Sequence, residues 1–187
     1  MIEVPRISYD ALPAKLQDEL AAKVERLGYL GEFFQVAAHQ PDALYHFNRF
    51  TETLKEALPH NLVELLALTL STWSENFYER VQHERLALKL GLSEAWVKEV
   101  ERLTPDDTTR LTPTEKAAQT LALSMAKTQG RGARADAEAF LKLTDHKTLV
   151  GVMLTVGRYV AHSGRCNTMQ LKPPGPSPFG DGAITPS

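Results

Sequence analysis

Apolar residues recur at every third or fourth position along most of the chain. Leu12, Leu16, Leu20, Val24 and Leu27 recur at helical spacing in a segment opened by Asp10 and Pro13 and ending at Gly28, which predicts a first helix. A short apolar patch, Phe33 to Ala38, ends before Pro41. Leu44, Phe47 and Leu54 then predict another helix, less regular in its spacing, running to Pro59. Between His60 and Trp73 the pattern closes up: HNLVELLALTLSTW is hydrophobic nearly all round, as expected of a helix buried on most of its circumference in a core or a subunit interface. Glu64 is its only ionisable residue apart from His60 at the edge. A further helix passes through Glu79, His83 and Leu90 and stops at Gly91, where a left-handed backbone carries no Cβ clash. Ser93 caps the segment SEAWVKEVERL.

The second half uses the same grammar. Thr112-Pro113-Thr114-Glu115 sets an N-cap, a proline at N1 and a glutamate at N3, a strong helix start. That helix runs to about Gly130. GRGARA reads as a loop, followed by a short helix to Leu143 and a new start at Thr144 and Asp145. Leu149, Val152, Met153, Val156 and Val160 line one side of a last helix that extends at least to His162. Beyond Lys172 the prolines and glycines of PPGPSPFGDGAITPS prevent regular structure, so this stretch is expected to be a tail or an arm lying on a neighbour. No strand series, glycine-rich phosphate loop or fixed-period repeat is visible. The fold class is all-α, with one helical domain over residues 1–170 and a tail over 171–187.

Composition narrows the function. The 21 Lys and Arg against 23 Asp and Glu leave a formal charge of −2 with no basic block, which disfavours nucleic acid as a partner. No run of 18 apolar residues and no signal-like N-terminus is present, so neither membrane insertion nor export is expected. Cys166 is the only cysteine, which removes disulfides, CxxC pairs and cysteine-rich zinc sites and makes the cytoplasm the expected location.

The candidate chemistry collects in SENFYERVQHE, Ser74 to Glu84. Glu79 and His83 are four apart and share a helical face, where a carboxylate would hold the imidazole protonated for general acid work. The same residues also fit a helix start, with Asn76 as N-cap and Glu79 at N3 returning a hydrogen bond to the Asn76 amide. Glu64, alone in its apolar helix, needs a partner or a raised pKa. His83 is one such partner; a structural salt bridge to Arg80 or Arg85 is the alternative. Tyr78 offers a hydroxyl donor or simple packing. Arg131, Arg134, Arg158 and Arg165 are candidates to hold a carboxylate, with a surface position as the default reading of each. His39, His46, His60, His146 and His162 read as surface or capping residues, and Cys166 as a small buried hydrophobe. Glu64, Glu79 and His83 lack a second histidine at ligand spacing, so no metal site is assigned.

The segment from Leu62 to Val100, with a glutamate in an apolar helix, a histidine nineteen residues on, then ALKLGLS and AWVKEV, resembles the core motif of the carboxymuconolactone decarboxylase family, which includes the alkyl hydroperoxidase D proteins. The resemblance extends over about residues 10 to 165. It implies an all-α domain of about six to eight helices that assembles as a trimer or hexamer, with the helix Leu62–Leu70 compatible with burial against another subunit. In the peroxidase branch a CxxC pair precedes the histidine by seven and four residues; here Asn76 and Glu79 stand there, and neither replaces a thiolate. The decarboxylase branch commonly keeps a glutamate four residues before the histidine, as Glu79 does. The resemblance thus implies a cofactor-free lyase acting on a small carboxylated or lactone-type metabolite, with Glu64, Glu79 and His83 catalytic and Asn76 or Tyr78 contacting substrate. A peroxidase-related oxidoreductase and a non-catalytic scaffold are the alternatives.

Overall fold

Ten consecutive residues of α4 (His60–Trp73), Leu62 to Ser71, are buried. The computed structural model describes residues 4–107 and 110–180. Against α4 pack α5 (Phe77–Lys89), α6 (Glu94–Glu101), α7 (Pro113–Thr128) and α9 (His146–Thr168), while α8 (Arg134–Leu141) leans on α7 and α9. The all-apolar circumference of α4 is therefore satisfied inside one chain. Of the two settings expected for it, a core or a subunit interface, these four neighbours supply the core, where Val97, Leu121, Ala122, Val152 and Val156 join it in one hydrophobic cluster.

A second cluster forms from α1 (Ala14–Leu27), α2 (Glu32–Ala37) and α3 (Pro41–Ala57), where Leu16, Leu20, Phe33 and Leu44 pack with Tyr78 of α5 and Cys166 of α9. The apolar patch Phe33 to Ala38 is thus a helix of its own, and it brings the count to nine α-helices among the described residues. Short 3₁₀ turns at Tyr9–Ala11 and Pro105–Asp107 complete the chain, with no strand among the described residues. No helix there is long and apolar enough to cross a membrane.

The helix ends follow the local signals. Thr112 and Glu115 form a reciprocal capping box, Ser93 accepts from the Trp96 amide at 3.1 Å, and Asp145 accepts from the Thr148 amide at 2.7 Å; each such cap is worth about 1 kcal/mol. Gly91 takes φ +85° after α5, and the Leu92 amide returns to the Ala87 carbonyl at 3.0 Å. At Gly151 a Cβ would stand 2.9 Å from Leu58 Cδ2, so glycine is what lets α9 approach the α3–α4 junction.

The described part of the tail lies on its own chain. The Lys172 amide donates to Glu32 Oε2 at 2.7 Å, the Ser177 hydroxyl donates to Glu84 Oε2 at 2.6 Å, and Arg85 donates to the Pro176 carbonyl at 2.5 Å. Phe179 packs against the main core. Residues 181–187 lie outside the described residues.

Candidate active site

A pocket of about 210 Å³ opens between the α1–α3 layer and the helices α5 and α9. Phe33, Phe34 and Phe47 contribute apolar wall, Glu79, His83, Arg158 and His162 meet on one side of it, and Lys23, Arg26, Lys55, Arg85 and Lys89 also line it. His83 is the centre of the arrangement. Its Nδ1 lies 2.7 Å from Glu64 Oε2, and its Nε2 lies 3.4 Å from Glu79 Oε1 and 3.2 Å from the Tyr159 hydroxyl. Glu64 therefore pairs with His83; Arg80 instead faces Glu84, at 3.3 Å. With a carboxylate at each ring nitrogen, both nitrogens are donors and the ring is an imidazolium. Burial opposes that charge, but Glu64 and then Glu79 outweigh it and raise the pKa to about 9.

Glu79 holds the rest together. Its Oε2 accepts from His162 Nε2 at 2.9 Å, and its Oε1 accepts from Arg158 Nη1 at 3.3 Å. Burial would raise its pKa, yet His162, His83 and Arg158 hold it well below the usual carboxylate range. Arg158 also donates through Nε to Thr51 Oγ1 at 3.1 Å, which ties α9 to α3. His162 has the opposite character to His83: burial pushes its pKa down and Arg158 adds to that against the pull of Glu79, so it is the neutral imidazole of the pair. One carboxylate thus joins a charged and an uncharged histidine.

At the start of α5 the local and the chemical readings meet. Asn76 Oδ1 accepts from the Glu79 amide at 3.2 Å, so Asn76 is the N-cap. The Asn76 amide is spent on the Ser71 carbonyl at 2.8 Å, which leaves the Glu79 carboxylate free of the reciprocal bond. The expected box therefore closes on one side only, and Glu79 turns into the pocket. The Asn76 carboxamide donates to Ser163 Oγ at 3.2 Å, and Asn76 does not line the pocket. Tyr78 does line it, with its hydroxyl accepting from the Phe33 amide at 3.2 Å.

Two residues read as surface groups belong here. The Arg158 side chain is 9% exposed, and His162 is 2% exposed. The signal was present as Arg158, His162 and Cys166 at spacings of four on α9, a stripe running beside that of Val152, Val156 and Tyr159. Arg134 is exposed and pairs with Glu138, Arg131 is exposed, and Arg165 lies 4.3 Å from the Phe47 ring centroid outside this pocket's wall. Cys166 Sγ is 3.4 Å from His162 Nε2, but burial and then Glu79 push the thiol up to about 12. Among the described residues no group of three or more His, Cys, Asp and Glu is arranged to hold a metal ion.

Sequence comparison finds no matching family model and no matching curated protein. Structure comparison is more informative. The chain superposes with a TM-score of 0.80 on an uncharacterised peroxidase-related protein from Ralstonia eutropha with an alkylhydroperoxidase AhpD core, at 18% identity over 90% of both chains. The fold is that of the alkylhydroperoxidase D core. A protein of unknown function from Agrobacterium tumefaciens, grouped with the antioxidant defence protein AhpD, matches 74% of this chain and 95% of its own at a TM-score of 0.66 and 16% identity. A cysteine-to-alanine variant of the debrominase Bmp8, in complex with 2,3,4-tribromopyrrole, matches at a TM-score of 0.78 and 13% identity over 92% and 91% of the two chains. On this AhpD-like fold the N-cap and N3 positions of α5 are Asn76 and Glu79, and a thiol occupies neither.

Proposed function

We propose that the pocket is the active site of a cofactor-free, decarboxylase-like lyase acting on a small carboxylated or lactone-type metabolite. The observation that carries this reading is His83, held as an imidazolium between Glu64 and Glu79 in the wall of a pocket that also presents Arg26, Lys55, Arg85, Lys89 and Arg158 against a single carboxylate. Such a wall favours an anionic ligand, and such a histidine has a proton to give. Loss of CO2 from a carboxylate next to an unsaturated lactone breaks the C–C bond and leaves the electron pair delocalised onto the lactone oxygen. Arg158, fixed by Glu79 and Thr51, supplies permanent positive charge for that oxygen, and Tyr78 supplies a hydroxyl. His83 then protonates the carbon and regains its proton from solvent. Asn76 acts through Glu79, by fixing the helix start from which the carboxylate projects.

Peroxide reduction, suggested by the names of two structural neighbours, requires a thiolate; Cys166 is buried and its thiol is held protonated. A single core thiol suits a cytoplasmic setting. Self-association is proposed through α9, where Val150, Met153, Leu154 and Val160 are exposed.

The test is CO2 release from a panel of carboxylated lactones and 3-oxo acids. Turnover should fall by about 10²–10⁴-fold in His83→Ala and survive in Cys166→Ala. Unchanged turnover in His83→Ala and Glu79→Gln would overturn the reading, as would a peroxidase activity that disappears with Cys166.

A further inference from the structure

A second candidate group lies in the wall of the same pocket, on α1, a helix that the chemistry above does not use. Lys23 of α1 donates through Nζ to Asn48 Oδ1 at 2.5 Å and to Glu52 Oε1 at 3.0 Å, and its Nζ stands 4.8 Å from the Phe34 ring centroid. Lys55 reaches the same Glu52 Oε1 at 3.3 Å. One carboxylate oxygen therefore serves two ammonium groups, and Lys23 is the more buried of them, with 16% of its side chain exposed against 31% for Lys55. Burial, then Lys55, and then Arg158 disfavour the Lys23 charge, and together they outweigh Glu52, so its pKa falls below the ordinary lysine value. A neutral amine has two N–H bonds and one lone pair. Paired with Glu52 the group is an ammonium; once it gives up a proton, Asn48 and Glu52 are two acceptors for the remaining hydrogens, and the lone pair is left for an electrophile.

We propose that Lys23 is an amine nucleophile that forms an imine with the ketone of a small 3-oxo acid bound in the pocket, which is then decarboxylated through an enamine. A desolvated lysine beside a second cation is a recognised way to activate an amine towards carbonyls. The proposal rests on the decarboxylase reading for the CO2 step alone; imine formation stands on the geometry of Lys23. Nζ bonds to the ketone carbon, the carbonyl oxygen leaves as water after taking up protons, and an iminium remains. The C–C bond to the carboxylate then breaks, its electron pair moves towards the iminium nitrogen, and CO2 departs. The imidazolium of His83 protonates the enamine carbon, and water hydrolyses the resulting iminium to release the ketone and restore the amine.

The experiment is borohydride trapping with acetoacetate, followed by intact mass measurement and peptide mapping. The expected result is an N-isopropyl group on Lys23, formed faster than on Lys55 or the exposed Lys15 of the same wild-type protein, and lost in Lys23→Arg. That internal comparison holds even if the variant folds poorly. A Lys23 adduct that retains the carboxylate supports the nucleophile and overturns the decarboxylase reading. In His83→Ala, a Lys23 adduct with reduced CO2 release supports both assignments. No adduct at Lys23, or adducts formed equally on Lys55 and Lys15, overturns the proposal.

Discussion

Glu64 and Glu79 spend their charge on His83, and that has a pH signature. An imidazole whose pKa is about 9 in the fold, against the ordinary 6.5, binds its proton more tightly folded than unfolded. Its contribution is complete below pH 6.5 and is lost as pH rises through 9, an effect on the order of 3 kcal/mol. Glu101 acts in the same direction: burial and the neighbouring Glu84 raise it to about 8, so the protonated form that the fold prefers is lost as pH climbs from 4.5 to 8. The melting temperature should therefore fall between about pH 6.5 and 9. Glu101→Gln should retain more stability than wild type at pH 9, and a flat wild-type profile over this range would contradict both assignments. Glu64, Glu79 and His83 were legible in the sequence because a glutamate in an apolar helix and an i, i+4 acid–histidine pair are local signals. Arg158 and His162 were legible only as a spacing of four on α9 and not as buried groups, since their burial is decided by Glu79, some eighty residues away in the chain.

At the scale of elements, capping signals located the starts of α6, α7 and α9, and Gly91 marked the end of α5. The tail was legible only in part. Prolines and glycines exclude regular structure, but composition says nothing about where Ser177 and Phe179 come to rest. Ser177 is buried, and its hydroxyl meets an oxygen of the almost fully buried Glu84. Ser177→Ala leaves that oxygen without its donor and should cost about 1–3 kcal/mol, read as a lower denaturant midpoint at unchanged slope. Loss of the whole tail beyond Lys172 should cost more, because Phe179 leaves the core and Arg85 loses the Pro176 carbonyl at the pocket wall. Equal stability of the two variants and wild type would show that the docked tail contributes nothing to the fold.

For the whole molecule, the apolar surface that needs explaining is on α9 and not on α4. Val150 is 52% exposed, Leu154 46%, Val160 42% and Met153 41%, all on a helix whose other side is core. Periodicity located this helix but could not show that neighbours fill only one of its two apolar sides. Wild-type protein should run as an oligomer in light scattering, and Val150→Lys with Leu154→Lys should give a monomer that keeps its helical content; a monomeric wild type would refute the association. The Glu79 junction, finally, bears on how a site of this kind changes hands between chemistries. Installing cysteines at positions 76 and 79 would look like a minimal retrofit to a dithiol. It would also strip the helix of its cap and take from both the buried Arg158 and His162 the carboxylate with which each is paired. A dithiol at positions 76 and 79 therefore requires residues 158 and 162 of α9 to be rewritten together with the start of α5.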